Sequence, residues 1–146
     1  MNTRENRDTM RAVFEGLAAG DGTRLVEAMS DDFSWTIAGV ATHWAGTWRG
    51  KQAVREELLA PLFAQFADRY VNTPLSFTAE EDRVVVESRG RVTTKAGARY
   101  DNHYCYVCRF DDDNRLASIV EYADTALMEA ALHPPESRAR TPIRTS

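Results

Sequence analysis

Apolar residues recur at a helical period near the start of the chain. Met10, Val13, Phe14 and Leu17 fall at i, i+3, i+4 and i+7, one stripe of a 3.6-residue repeat. Asn2 followed by Glu5 has capping-box spacing, and Gly20-Asp21-Gly22 ends the helix. A short second helix is predicted over 23–29, burying Leu25, Val26 and Met29. Phe33-Ser34-Trp35-Thr36-Ile37 then alternates strictly, the pattern of a half-buried strand. Residues 39–50 read as a loop that holds His43, Trp44 and Trp48. A longer helix over 51–67 places Val54, Leu58, Leu62 and Phe66 at every fourth position. Pro61 lies inside it, lacks a backbone donor and predicts a kink or restart. From Asn72 onward the period is two. Strands are predicted at 74–79, 83–94, 99–110 and 115–123, with turn residues between them. A helix over 125–132 closes the pattern, and His133-Pro134-Pro135 stops it.

Helices first and strands after define an α+β fold, with an antiparallel meander curled around the helices. One domain is expected over 1–132, followed by a disordered Arg-, Ser-, Thr- and Pro-rich tail over 133–146. The last strand is apolar on both faces: Ala117 and Ile119 on one, Leu116, Val120 and Tyr122 on the other. A sheet with one solvated face would alternate apolar with polar. A second copy of the chain is therefore expected against the outer face, as a homodimer.

Composition narrows the function. The 146 residues are 43% hydrophobic and 27% charged, as in a soluble globular domain, and carry a net charge of −4. The tail holds three arginines against one glutamate, so the body is more acidic still. Nucleic acid is an unexpected partner without a basic patch or stripe. No run is long and apolar enough to predict a membrane span. The first residues lack the apolar core of an export signal, so the expected location is the cytoplasm. Cys105 and Cys108 form a C-x-x-C, but on a strand that spacing puts the sulfurs on opposite faces. Two reduced core cysteines are expected. His43, His103 and His133 lack metal-ligand spacing, and neither a Gly-rich phosphate loop nor a nucleophile elbow is present. No metal and no cofactor are expected.

Three stretches resemble the nuclear-transport-factor-2-like superfamily. They are Gly16-Leu17-Ala18-Ala19-Gly20-Asp21, then Gly46-Thr47-Trp48-Arg49-Gly50-Lys51-Gln52-Ala53-Val54, and Tyr100-Asp101-Asn102-His103-Tyr104 running on to Val120-Glu121-Tyr122-Ala123-Asp124-Thr125-Ala126-Leu127. The resemblance covers residues 7–132 and is nearest to the SnoaL-like, ketosteroid-isomerase-related branch. It implies a cone-shaped half-barrel, an apolar pocket between a curved antiparallel sheet and the helices, and usually a homodimer. It implies a small apolar or cyclic ligand. The superfamily also includes limonene-epoxide hydrolase and scytalone dehydratase. The catalytic positions of ketosteroid isomerase fall near Val13, Ile37 and Tyr106, so its machinery is replaced. The triad of limonene-epoxide hydrolase is at best partial, with Glu87, Arg89 and Arg91 in its strand. The acid/base Asp of the SnoaL-like cyclases is matched by Glu121.

Glu121 shares strand parity with Ala117 and Ile119, which aims it at an apolar face. Burial there raises a carboxyl pKa toward the range useful for proton transfer. The structural alternative is an ion pair with Arg109 or Arg89 across the strands. Tyr104 and Tyr106 share a face with Asn102 and Cys108 and can orient a ligand or donate a proton. Trp35, Ile37, Trp44 and Phe14 are expected to line the pocket. His43 is a candidate titrating group, and Asp124 is expected to cap the last helix. The expected function is cofactor-free acid/base catalysis of isomerase, cyclase, dehydratase or epoxide-hydrolase type, with Glu121, Tyr104 and His43 as its groups. The alternatives are a non-catalytic ligand-binding module and a protein-interaction module of the same fold.

Overall fold

Asn2 opens the first helix, α1 (Thr3–Ala18), by accepting the Glu5 N–H at 2.9 Å, which is the Asn half of a capping box. In this computed structural model, which describes residues 2–136 and 140–141, Met10, Val13 and Phe14 are buried as one stripe. The turn after α1 closes through Asp21 N–H on Gly16 O, and α2 (Thr23–Ala28) buries Leu25. Strands β1 (Met29–Ile37) and β2 (Gly46–Arg49) form an antiparallel hairpin, pairing Trp35 with Trp48. The sequence pattern left β2 as loop because four residues, two of them glycine and arginine, carry too little periodicity.

The long predicted helix is broken into three. An α turn at Lys51–Ala53 (α3) widens into a π-helical segment at Val54–Leu59, and α4 (Ala60–Phe63) starts afresh. Pro61 sits in the first turn of α4, just after the π pattern gives way to the α pattern, and the backbone stays helical across that junction. The expected interruption is present as this change of hydrogen-bond pattern around the proline, which has no N–H to give.

Strands β3 (Val71–Glu80), β4 (Arg83–Arg91), β5 (His103–Phe110) and β6 (Leu116–Ala123) form the antiparallel meander. The order across the sheet is β3-β4-β5-β6-β1-β2-β7. The chain's first strand thus returns to lie beside β6, and that pair is parallel. Helix α5 (Thr125–Ala131) follows β6, and Asp124 caps it by accepting from Ala126 N and Leu127 N. The curved sheet stays unclosed and wraps the N-terminal helices.

Two expectations are corrected. A register shift in β6 opposes Arg109 to Ser118 but Phe110 to Leu116, leaving Ala117 as the extra residue. Leu116 therefore turns inward and is fully buried, and it leaves the outer face. The tail contributes Arg140–Thr141 as a strand, β7, along the free edge of β2. These two residues are ordered by backbone pairing; 137–139 and 142–146 lie outside the described residues. Cys105 and Cys108 are free and face opposite sides, half-buried and buried respectively.

Candidate functional site

Alternation along β4, β5 and β6 turns Val86, Tyr106 and Glu121 to the inner face, where they are direct cross-strand neighbours. Ile37 of β1 lies beside Glu121 on the other side. Between this floor and the helices is a cavity of about 660 Å³. Phe14, Leu58, Leu62 and Met128 form apolar walls. Glu27, Arg55, Asp68 and Arg69 stand at its exposed rim.

Glu121 is 7% exposed, and its Oε1 accepts from Trp35 Nε1 at 3.1 Å. Burial pushes its carboxyl up to about 7, and the Trp35 hydrogen bond partly opposes that rise. Desolvation dominates because an apolar cavity disfavours the charged form. The alternative ion pair is not made. Arg89 and Arg109 have odd strand parity and are exposed on the outer face, where Arg109 lies 3.5 Å from Asp82. The same parity puts Glu87 and Arg91 outside.

Tyrosines surround the carboxyl. Tyr104 and Tyr106 stack with ring centroids 5.1 Å apart and planes at 18°. The Tyr70 hydroxyl donates to the Tyr104 hydroxyl at 2.6 Å, and Asn72 Nδ2 donates to the Tyr106 hydroxyl at 3.0 Å. Burial pushes the Tyr70, Tyr100, Tyr104 and Tyr106 hydroxyls up, and the Glu121 charge raises each of them further. All four therefore remain neutral donors across physiological pH. Cys108 also lines the cavity, and burial raises its thiol too.

Gly90 makes room for this cluster. A Cβ there would lie 2.7 Å from the Tyr70 hydroxyl and 3.0 Å from Tyr104 Cε2. Gly90→Ala is expected to split the Tyr70–Tyr104 pair and to cost about 1–3 kcal/mol, as overpacking does. A urea titration checks this. An unchanged midpoint means that the rings yield freely.

The structure brings eight of the sequence candidates to the cavity: Glu121, Tyr104, Tyr106, Trp35, Ile37, Trp44, Cys108 and Phe14. Two lie elsewhere. His43 has an 82% exposed side chain, and its Nδ1 is 3.2 Å from Glu129 Oε1. Asn102 is fully buried, but its amide is used in structural bonds to Asp124 N and O, His103 N and the Tyr100 hydroxyl. Sequence reasoning missed Tyr70, Asn72 and Tyr100. Tyr100 shares the even parity of Tyr104 and Tyr106, a signal that was present. Tyr70 lies just before β3 and Asn72 in its first residues, both ahead of the predicted strand. Among the described residues, no three His, Cys, Asp or Glu side chains are grouped to hold a metal ion.

Such a cone, with one carboxyl set among apolar and phenolic side chains, has the size and lining of a small-molecule pocket, in a fold that hosts many activities. A family model of the SnoaL-like domain matches residues 10–119, and the chain belongs to that family. Bal32a, from a soil-derived mobile gene cassette, superposes with a TM-score of 0.76 at 21% identity, covering 90% of this chain and 100% of that one. An NTF2-like protein from Burkholderia pseudomallei gives 0.74 at 24%, covering 90% and 98%. TerC, crystallised with polyporic acid, gives 0.71 at 20%, covering 86% and 95%. At these identities the likeness is one of fold. None of the curated proteins compared with the chain matches it. No helix among the described residues is long and apolar enough to cross a membrane.

Proposed function

We propose that this protein is an acid/base enzyme acting on a small, mostly apolar carbonyl compound held in the cone, with Glu121 as the group that moves the proton. The observation that carries this reading is a buried carboxyl facing a cavity, with its pKa raised to about 7. A general base or acid works best when its pKa is near the working pH. A structural glutamate would instead be expected to have an ion-pair partner, and Glu121 has none among the described residues. Isomerisation, cyclisation, dehydration and epoxide opening all begin or end with such a transfer, and side chains alone supply it. Tyr104 and Tyr106 orient the ligand oxygen, and Trp35, Ile37, Trp44, Cys108 and Phe14 shape the pocket. His43 has no place in this scheme. TerC, of the same fold, was crystallised with polyporic acid, which supports a small-molecule ligand for the cone. Residues 1–132 would work as one domain.

Hydrogen–deuterium exchange tests the assignment without knowledge of the natural substrate. Cyclic ketones incubated in D2O with the wild type are expected to lose α-protons faster than with Glu121→Gln, read by NMR. Equal rates for the two proteins remove Glu121 from the role.

The outer face of β4–β6 carries Val85, Val107, Val120 and a Tyr122 that is 52% exposed. This apolar strip supports a homodimer, even without Leu116. Sedimentation is expected to give a dimer for the wild type and a monomer for Val107→Glu. A monomeric wild type overturns that assembly.

A further inference from the structure

The two ends of the cavity differ in charge. The inner end holds the Glu121 carboxyl. Among the described residues, Arg55 and Arg69 are the only cationic side chains that line the cavity, and both are exposed at its mouth. Arg55 belongs to the π-helical segment, beside the Leu58 and Leu59 that wall the cavity. Neither arginine is in an ion pair among the described residues. The stem of Arg69 lies over Gly20. A Cβ there would overlap Arg69 Cγ and Cδ, and the φ of +77° also favours glycine. Arg69 Nη1 is 3.4 Å from Ala19 O, a long contact that leaves most of the five guanidinium N–H donors unused. Two acids share the mouth. Asp68 Oδ1 accepts the Thr93 N–H at 2.8 Å, and Glu27 is exposed. With these acids beside the arginines, a second negative charge on a ligand would gain little, so the mouth suits a monoanion. A guanidinium fork matches the two oxygens of a carboxylate.

We infer that Arg55 and Arg69 select a ligand that carries a carboxylate at one end, held at the mouth, with its apolar remainder and reacting carbonyl inside the cone. The inner end of this assignment rests on the acid/base reading of Glu121; anion binding at the mouth does not need it. Entry the other way round is disfavoured. The carboxylate would give up its water to an apolar cavity and meet Glu121 with no cation beside it. The mouth thus sets which end of the ligand reaches the proton-transfer group. Arg55 and Arg69 touch the far end of the ligand and not its reacting atoms, so they determine specificity. Their site is open to water, which makes the effect modest and salt-sensitive.

The probes are 2-naphthylacetate and 2-naphthylacetamide, nearly the same shape with and without the charge. Isothermal titration calorimetry on the full chain at about pH 8, where the acid is ionised, measures both. The wild type is expected to bind the acid about tenfold more tightly than the amide, the low end for a hydrogen bond to a charged group. Arg55→Gln and Arg69→Gln should each reduce this preference, and the double variant should abolish it. Amide affinity should stay within about threefold throughout, which separates a lost cation from a damaged pocket. Raising salt from about 0.05 M to about 0.5 M should weaken binding of the acid and not of the amide. Naphthyl phosphate, mainly a dianion at this pH, should bind less tightly than the acid. Equal wild-type affinities for acid and amide overturn the inference. So do an undiminished preference in the double variant, tighter binding of the phosphate, or a wild type that binds neither naphthyl compound. Glu121→Gln should keep the preference for the acid, because the mouth is intact. If it keeps that preference and also the wild-type rate of deuterium exchange, the acid/base reading of Glu121 falls and the carboxylate site at the mouth stands.

Discussion

At pH 8 the Glu121→Gln variant is expected to be more stable than the wild type by roughly 3 kcal/mol, and the gain should vanish below about pH 4.5. The carboxyl titrates at an ordinary value of 4.5 when unfolded and at about 7 when buried. Below pH 4.5 both states hold the proton, and the folded state suffers no charge penalty. Between 4.5 and 7 the unfolded chain releases its proton and the folded chain does not, so stability falls as pH rises. Above 7 the folded state is charged and the full penalty is present. An amide keeps an oxygen for Trp35 Nε1 to donate to, but it does not titrate, so the variant lacks this fall. Urea midpoints measured from pH 4 to pH 9 check it; parallel curves for the two proteins contradict the burial of a charge. The same substitution should slow any proton transfer through this group by about 10²–10⁴-fold, the usual loss for a general acid or base. Lower activity with higher stability is the signature of a group kept for chemistry at a structural cost.

The Phe33→Ala variant is expected to lose about 3–5 kcal/mol, the range for an aromatic removed from a packed core. Phe33 is fully buried and meets Trp35 edge to face, with centroids 6.2 Å apart. Its carbonyl accepts the Gly50 N–H at 2.8 Å, which holds β1 against the start of α3. The backbone cannot easily close over the void, so the cavity penalty adds to the lost transfer energy. Leu62→Ala makes the contrast. Leu62 is half-buried on the wall of an existing cavity, and truncating it enlarges that space without creating a closed one. Its cost should be below about 2 kcal/mol. Urea unfolding with an unchanged m-value measures both. Equal losses would mean that the cone is as tightly filled as the core beneath β1.

The helix stripe of α1, the turn residues of the meander and the inward parity of Glu121 were legible in the chain. Each depends on neighbours within a few residues, where backbone geometry alone sets which side chains share a face. Parity also separated Cys105 from Cys108. It failed at Leu116, because the extra residue Ala117 reverses the face and no local pattern announces it. It also did not reveal β2, whose Trp48 is ordered by pairing with Trp35, or β7, which exists through its pairing with β2.

The candidate site divides along the same line. Residue types, strand faces and the family resemblance pointed eight candidates to an expected pocket, and the structure brings them to its cavity. Their partners came from long-range contacts. Trp35 reaches Glu121 across 86 positions of chain, and Tyr70 reaches Tyr104 across 34. His43 and Asn102 went the other way. A loop conformation set by Thr42 and Glu129 carries His43 outward, and the bonds to Asp124 use up the Asn102 amide. The sequence by itself determined the helices, the strands of the meander, the α+β order and the apolar face on which a carboxyl would be raised. Only the tertiary structure decided that the face encloses a cavity and that Tyr70 and Asn72 pair with the phenols beside Glu121. Faces follow from local geometry, whereas enclosure and hydrogen-bond partnership follow from which distant segments pack together.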